Sequence, residues 1–303
     1  GGLYLALVGG TIVLLGLMTS FGALVRVTRN PRFPMYVSLL TNVLNALFSG
    51  LGIYAFQLGI VGVALGTVLA RLVGVVILWR ELDLSTIRWS WGLDRELLRL
   101  SLPAAGERLM MRAGDVVIIA IVVVFGTDAV AGNAIGEVLT QFNYMPAFGV
   151  ATATVMLVAH AVGEGDMKEI VLIRKRTFWL SFACMLPLAL GIFALGRPLT
   201  LLYTDNSGAI TASLLVILFS LLGTPMTVGT VIYTAVWQGL GNARLPFYVT
   251  TVGMWLIRII TGYLLGVTFG LGLPGVWAGT LLDNGFRWLF LKVLFDKKMR
   301  GIT

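Results

Sequence analysis

"RFPMYV" at residues 32–37 returns as "RLPFYV" at residues 244–249, keeping arginine, proline, tyrosine and valine at an offset of 212. Farther on, "GIVGVALGT" (59–67) returns as "GLPGVWAGT" (272–280) after a slip of one residue, and Asn30 returns as Asn242. The stretches around 21–80 and 233–293 therefore read as two copies of one unit. A repeat on this scale constrains the fold before any local detail does.

Both copies are apolar, and so is the rest of the chain. Residues of the AVILMFWYC set make up 58% of the 303, charged residues only 12%, and the mean hydropathy is +0.93. The charged share is about half that of a soluble domain, so the chain reads as an all-α polytopic membrane protein. Its 37 glycines suit helices whose backbones approach closely in lipid. The net charge of +8 raises the thought of nucleic acid, but the basic residues sit in short segments between apolar runs, which is a topology signal. One cysteine, Cys184, and one histidine, His160, exclude a disulfide framework and any multi-Cys or multi-His metal centre within this chain. The opening "GGLYLALVGG" has no basic n-region and no cleavage site, so it does not read as a signal peptide.

Nine apolar runs are long enough to cross a bilayer, near 2–26, 34–56, 59–79, 102–125, 129–159, 177–195, 208–237, 246–269 and 273–295. Alternate connections are basic: Arg26, Arg29 and Arg32; Arg80, Arg88, Arg95 and Arg99; Lys168, Arg174, Lys175 and Arg176; Arg244; Lys297, Lys298 and Arg300. The opposite set contains only Arg197. The positive-inside rule then puts the basic set and the C-terminus in the cytoplasm, with the N-terminal residue outside. Helices one to three match helices seven to nine, so helices four to six should have counterparts upstream of Gly1. The expected whole is a twelve-helix protein of two parallel six-helix lobes. Residues 1–79 are then the second half of the N-terminal lobe, 80–101 a cytoplasmic amphipathic linker with Trp89, Trp91 and a capping Asp94 before Leu97 and Leu98, and 102–303 the C-terminal lobe.

At "LPAAGERLMMRAGD" (102–115), "FGTDAVAGNAIGE" (125–137), "FNYMPAFGVATATVMLVAHAVGEGD" (142–166) and "GLGNARLPFYV" (239–249) the sequence resembles the multidrug and toxic compound extrusion (MATE) family. The resemblance covers essentially the whole chain. It implies export of bulky, often cationic organic molecules in exchange for inward-moving Na+ or H+, by alternating access of two lobes. It implies no enzyme activity, no cofactor beyond the coupling ion, a monomeric transporter in the lipid bilayer of the plasma membrane, and no nucleic-acid partner. Two positions depart from the family's pattern: His160 stands where a glutamine is usual, and the glutamate of sodium-coupled members falls on Met111, so Glu107 does not simply inherit its role.

Ionisable side chains inside a bilayer are costly enough that they mark function or satisfy one another. If the fourth and fifth helices form a hairpin about Thr127 and Asp128, counting from the turn sets Asp115 level with Thr140, Arg112 level with Asn143, and Glu137 within a turn of Asp115. Asn133, Glu137 and Gln141 share one helix face at spacing four. Asp115, Glu137, Asn133, Gln141 and Arg112 are therefore candidates for contact with the coupling ion or substrate; a self-satisfied scaffold, with Asp115 on Arg112 and Glu137 on an amide, is the competing reading. In the last hairpin Arg258 counts level with residue 285, beside Asp283, Asn284 and Arg287. In the first copy Arg71 counts level with Leu44, between Asn42 and Asn45. A structural role is expected for both clusters.

Glu107, Arg108 and Arg112 lie toward the cytoplasmic end, in a gate salt bridge or an interfacial ion pair. Phe142, Tyr144, Met145 and Trp237 either line a cavity for flat cations or pack in the core. Gly62 with Gly66, and Gly275 with Gly279, form matched GxxxG pairs that call for close helix packing. "GLGLPG" (270–275) is formally GxGxxG but lies between membrane helices with no strand before it, so it is no dinucleotide motif. Two further readings stay open: a flippase for lipid-linked oligosaccharide or lipid II of the same superfamily, and an intramembrane enzyme.

Overall fold

The structure, a computed structural model, describes residues 9–28, 32–82 and 95–300. Among these residues nine long helices follow one another, with one short helix between the sixth and seventh of them. We number them α1 (Ile12–Thr28), α2 (Phe33–Tyr54), α3 (Gly59–Glu81), α4 (Arg95–Val123), α5 (Thr127–Glu164), α6 (Met167–Ala194), the short α7 (Gly196–Leu201), α8 (Ser207–Gly239), α9 (Arg244–Thr268) and α10 (Leu273–Arg300). Six of them, α2, α3, α5, α6, α8 and α9, are long and apolar enough to cross a membrane by length and composition. The first expected span reaches into residues outside those described, as do Trp89, Trp91 and Asp94 of the linker.

The sequence places the helix ends less well than the helices. The run expected at 177–195 begins ten residues earlier, because the Asp166 carboxylate accepts the backbone N–H groups of Lys168 and Glu169 at 3.0 Å each and so caps α6. Lys168, Arg174, Lys175 and Arg176 are thus in the first turns of a helix rather than in a loop. Just before them Gly165 takes a left-handed conformation (φ 74°), which ends α5 and lets the chain reverse within two residues. Likewise α4 starts at Arg95 and runs unbroken through Pro103, so the 80–101 segment is helical at both ends.

The chain divides into two compact units, residues 1–92 and 93–303. In the first, α2 and α3 pack tightly and α1 lies on α3, around Val25, Val37 and Leu78. In the second, α8 is central: α5, α6 and α10 all pack on it, while α4 packs on α9. The larger core of this unit gathers Val158, Ile170, Met185, Val228, Tyr233 and Phe295.

The repeat is present in three dimensions. A Cβ on Gly66 would meet the backbone nitrogen of Ser49 at 2.6 Å, and a Cβ on Gly279 would meet that of Gly262 at 2.8 Å. Both pairs are seventeen residues apart, so the two hairpins close on the same points. By residues 49 and 262 the offset has already become 213, whereas at 37 and 249 it is still 212. Between these landmarks α2 is regular, while α9 carries a π-helical turn at Gly253–Arg258. A π turn accommodates one extra residue; the slip in the sequence is this insertion.

Candidate functional site

A row of polar contacts crosses α5, α10, α9 and α4 inside the second unit. On α5, the Asn133 amide donates to Glu137 Oε1 at 3.1 Å while its Oδ1 accepts from Trp277 Nε1 of α10 at 3.0 Å. One turn along α10, the Thr280 hydroxyl oxygen accepts from Arg258 Nε of α9 at 3.1 Å. Arg258 Nη1 in turn stands 3.4 Å from Asp115 Oδ1 of α4, and Arg112 Nη1 stands 3.5 Å from Asp115 Oδ2. At ~1.5 Å of rise per residue, Asp115 and Glu137 lie ~12–15 Å inside the ends of their helices, about half of a ~30 Å hydrocarbon core.

The two carboxylates differ in what they face. Asp115 is held between two guanidinium groups, one largely buried (Arg258, side chain 12% exposed) and one in the open (Arg112, 83%). Glu137 is exposed and accepts a hydrogen bond from a neutral amide; among the described residues it has no ion pair, although Arg258, Asp115 and Arg112 are within its electrostatic reach. Its position is fixed from behind by the Trp277–Asn133–Glu137 relay. An acid at the surface of this unit, held on a rigid helix and with no countercharge at contact distance among the described residues, is chemically able to receive a cation.

Counting from the turn gave the depth of these residues but not their faces. α4 and α5 make little contact; α5 is drawn instead onto α8, where a Cβ on Gly136 would stand 2.6 Å from Val216 Cβ and one on Gly132 would run into Ala209 and Ala212. Asn143 consequently points away from Arg112, fully buried among Thr140, Ile217 and Ser220, and Arg112 pairs within its own helix. Gln141 is exposed on the Glu137 face.

The reading of the last hairpin is corrected in the same way. Arg258 bonds Thr280 and Asp115, not residues near 285, and Asp283 pairs with Arg287 on its own helix at 2.7 Å, both fully or nearly buried. In the first copy Asn45 accepts from Ser49 and from Thr67.

Glu107, expected in a gate salt bridge or an interfacial ion pair, makes no salt bridge among the described residues. It is buried, accepting from Thr250 Oγ1 at 3.1 Å and from Gln238 Nε2 at 3.3 Å, and so fastens α4 to α9 and α8. The aromatic set splits. Phe142 and Met145 are exposed, whereas Tyr144 shares a hydrogen bond with Ser220 at 2.9 Å and Trp237 is buried with its Nε1 donating to the Leu291 carbonyl. His160 is exposed beside Glu164, at 3.5 Å.

Trp277 and Thr280 escaped the sequence reading, although the repeat marked both. Thr280 matches Thr67, and Trp277 stands where the first copy has Ala64. The available signals were a polar residue kept in both copies, Thr280, and a large side chain where the first copy has a small one, Trp277.

The MatE family model matches residues 103–264, more than half of the chain and all of α5, α6 and α8. The chain belongs to the MatE family. Among curated relatives, a "Probable multidrug resistance protein NorM" of Thermotoga maritima is 30% identical over 292 residues, covering 92% of this chain and 62% of its own length. An "Uncharacterized transporter YisQ" of Bacillus subtilis is 25% identical over 305 residues, covering 95% and 66%. This MatE chain thus spans roughly three fifths to two thirds of the length of these two relatives. Its backbone superposes with a TM-score of 0.86 on the outward-facing conformation of a multidrug resistance MATE family transporter, at 20% identity, covering 98% of this chain and 69% of the other. The fold is therefore that of the MATE transporters.

Proposed function

We propose that the chain is the greater part of a secondary active antiporter that exports organic cations in exchange for H+ or Na+, and that Glu137 is the acid at which ion and substrate compete. The observation that carries this reading is the contrast at the site: Asp115 is paired with arginine, while Glu137 is exposed and, among the described residues, without an ion pair. The names of the relatives agree with multidrug export. Exposed Met145, about two helical turns (~12 Å) beyond Glu137 on α5 and within about a quarter turn of its face, supplies polarisable apolar surface toward that charge, while exposed Phe142 is turned well away from it. Full-length protein in vesicles is expected to expel a fluorescent organic cation only while an inward H+ or Na+ gradient is imposed. Equal export after the gradient is collapsed would overturn the antiport reading.

The same proposal sets the protein in the plasma membrane with its C-terminus in the cytoplasm. Single cysteines at positions 128 and 205, in a Cys184→Ala background, are expected to label from outside intact cells, and one at position 95 only after permeabilisation. The inverse pattern would reverse the orientation.

A further inference from the structure

The two copies of the repeat differ at one functional point. With the offset of 213 that the glycine contacts establish, Thr67 corresponds to Thr280 and Asn45 to Arg258. The contact is conserved in place: Thr67 Oγ1 lies 3.2 Å from Asn45 Oδ1, and Arg258 Nε lies 3.1 Å from Thr280 Oγ1. Its charge is not, because a neutral amide in one unit is a guanidinium in the other. The inserted residue of the Gly253–Arg258 π turn brings Arg258, the last residue of that turn, into this slot. Without the insertion Ile257 would occupy it by the offset of 212. Such π insertions within α-helices occur frequently at functional sites.

We propose that Arg258 is a built-in cation that permanently occupies Asp115 and thereby sets the valence of the site, leaving Glu137 to exchange a single positive charge. The inference rests on the transport reading of this site and adds to it a determinant of charge selectivity. Three contacts fix Arg258 where a mobile ion would otherwise sit: Thr280 from one side, Met254 Sδ at 3.8 Å from its own helix, and Asp115 at 3.4 Å. The other guanidinium on Asp115 belongs to Arg112, whose exposed side chain forms only a weak, screened pair. Arg258, at 12% exposure, is the one that holds its geometry. Remove it, and two acids within electrostatic reach of each other are left with the exposed Arg112 as Asp115's partner among the described residues.

The test uses the residue that the other copy employs. Arg258→Asn retains a hydrogen-bonding partner for Thr280 and removes the charge; Arg258→Lys retains the charge. Binding to full-length protein in detergent is measured by calorimetry for a rigid organic monocation and for a dication of similar size. Wild type and Arg258→Lys are expected to prefer neither by much, and Arg258→Asn to shift the ratio toward the dication by about tenfold or more, since a second carboxylate has become available. A purely structural role for Arg258 predicts lower stability with an unchanged ratio in Arg258→Asn, and that result overturns the proposal. If Arg258→Asn fails to fold, Arg258→Gln, a longer neutral amide, decides by the same ratio: a shift of about tenfold toward the dication supports the account, and an unchanged ratio overturns it. Absence of cation binding to wild type would sink the transport reading itself, which is a different outcome from an unchanged ratio.

Discussion

Glu137→Gln is expected to lower gradient-driven efflux of an organic cation by about tenfold or more, while the yield of folded full-length protein stays within about twofold of wild type. Glutamine keeps the size of the side chain and the acceptor that Asn133 bonds, so the relay from Trp277 survives and only the charge is lost. The side chain is exposed and makes no ion pair among the described residues, so its neutralisation leaves no buried countercharge among them. This separates it from Asp115, where removal of the acid leaves Arg258 short of a partner and some instability follows whatever the role of the residue. Efflux at the wild-type rate from matched amounts of folded Glu137→Gln would remove this residue from the mechanism.

The second large effect is on folding. Gly279→Leu is expected to cost about 3 kcal/mol or more, at and beyond the upper end of ordinary overpacking, because its Cβ would meet backbone rather than side chain. Gly262 nitrogen would lie 2.8 Å away and the Arg258 carbonyl 2.9 Å away, so α9 and α10 must separate. The adjacent Thr280–Arg258 contact would go with them. Gly66→Leu in the first unit should behave alike, since it meets Ser49 and Phe48 in the same way. Gly191→Leu is the control: it lies in α6 with nothing within 4 Å of its Cβ. The check is the fraction of monodisperse protein by size exclusion in detergent, and Gly279→Leu equalling Gly191→Leu would contradict the packing described for the hairpins.

These residues also show where the sequence was a sufficient guide. The matched GxxxG pairs predicted close helix contact because a glycine stripe has few other uses in an apolar helix, and the hairpins pack backbone to backbone there. Depth was equally legible: Asp115 and Glu137 fall at similar distances from their turn because rise per residue is nearly constant. Direction was not. Whether Asn143 faces α4 or α8 depends on which neighbour α5 approaches most closely, and Gly132 and Gly136 decide that through contacts with residues more than seventy positions away. The partner of Arg258 was missed for a second reason. Counting back from the hairpin turn presumes a regular helix, whereas α9 carries a π turn at Leu264–Thr268, between that turn and Arg258, as well as the one at Gly253–Arg258. The slip in the repeat was on view in the sequence, but only the structure shows that a helix rather than a loop absorbs it.

The central claim is that ion and organic cation compete for one charge at Glu137. It is tested most directly by counting ions released when the organic cation binds. Full-length protein in weakly buffered, low-sodium detergent solution would be mixed with a saturating rigid monocation, and released H+ and Na+ read with selective electrodes. The account predicts about one ion released per cation bound by wild type, and none by Glu137→Gln even at concentrations that restore binding. The same release from both proteins, or none from wild type, would contradict it.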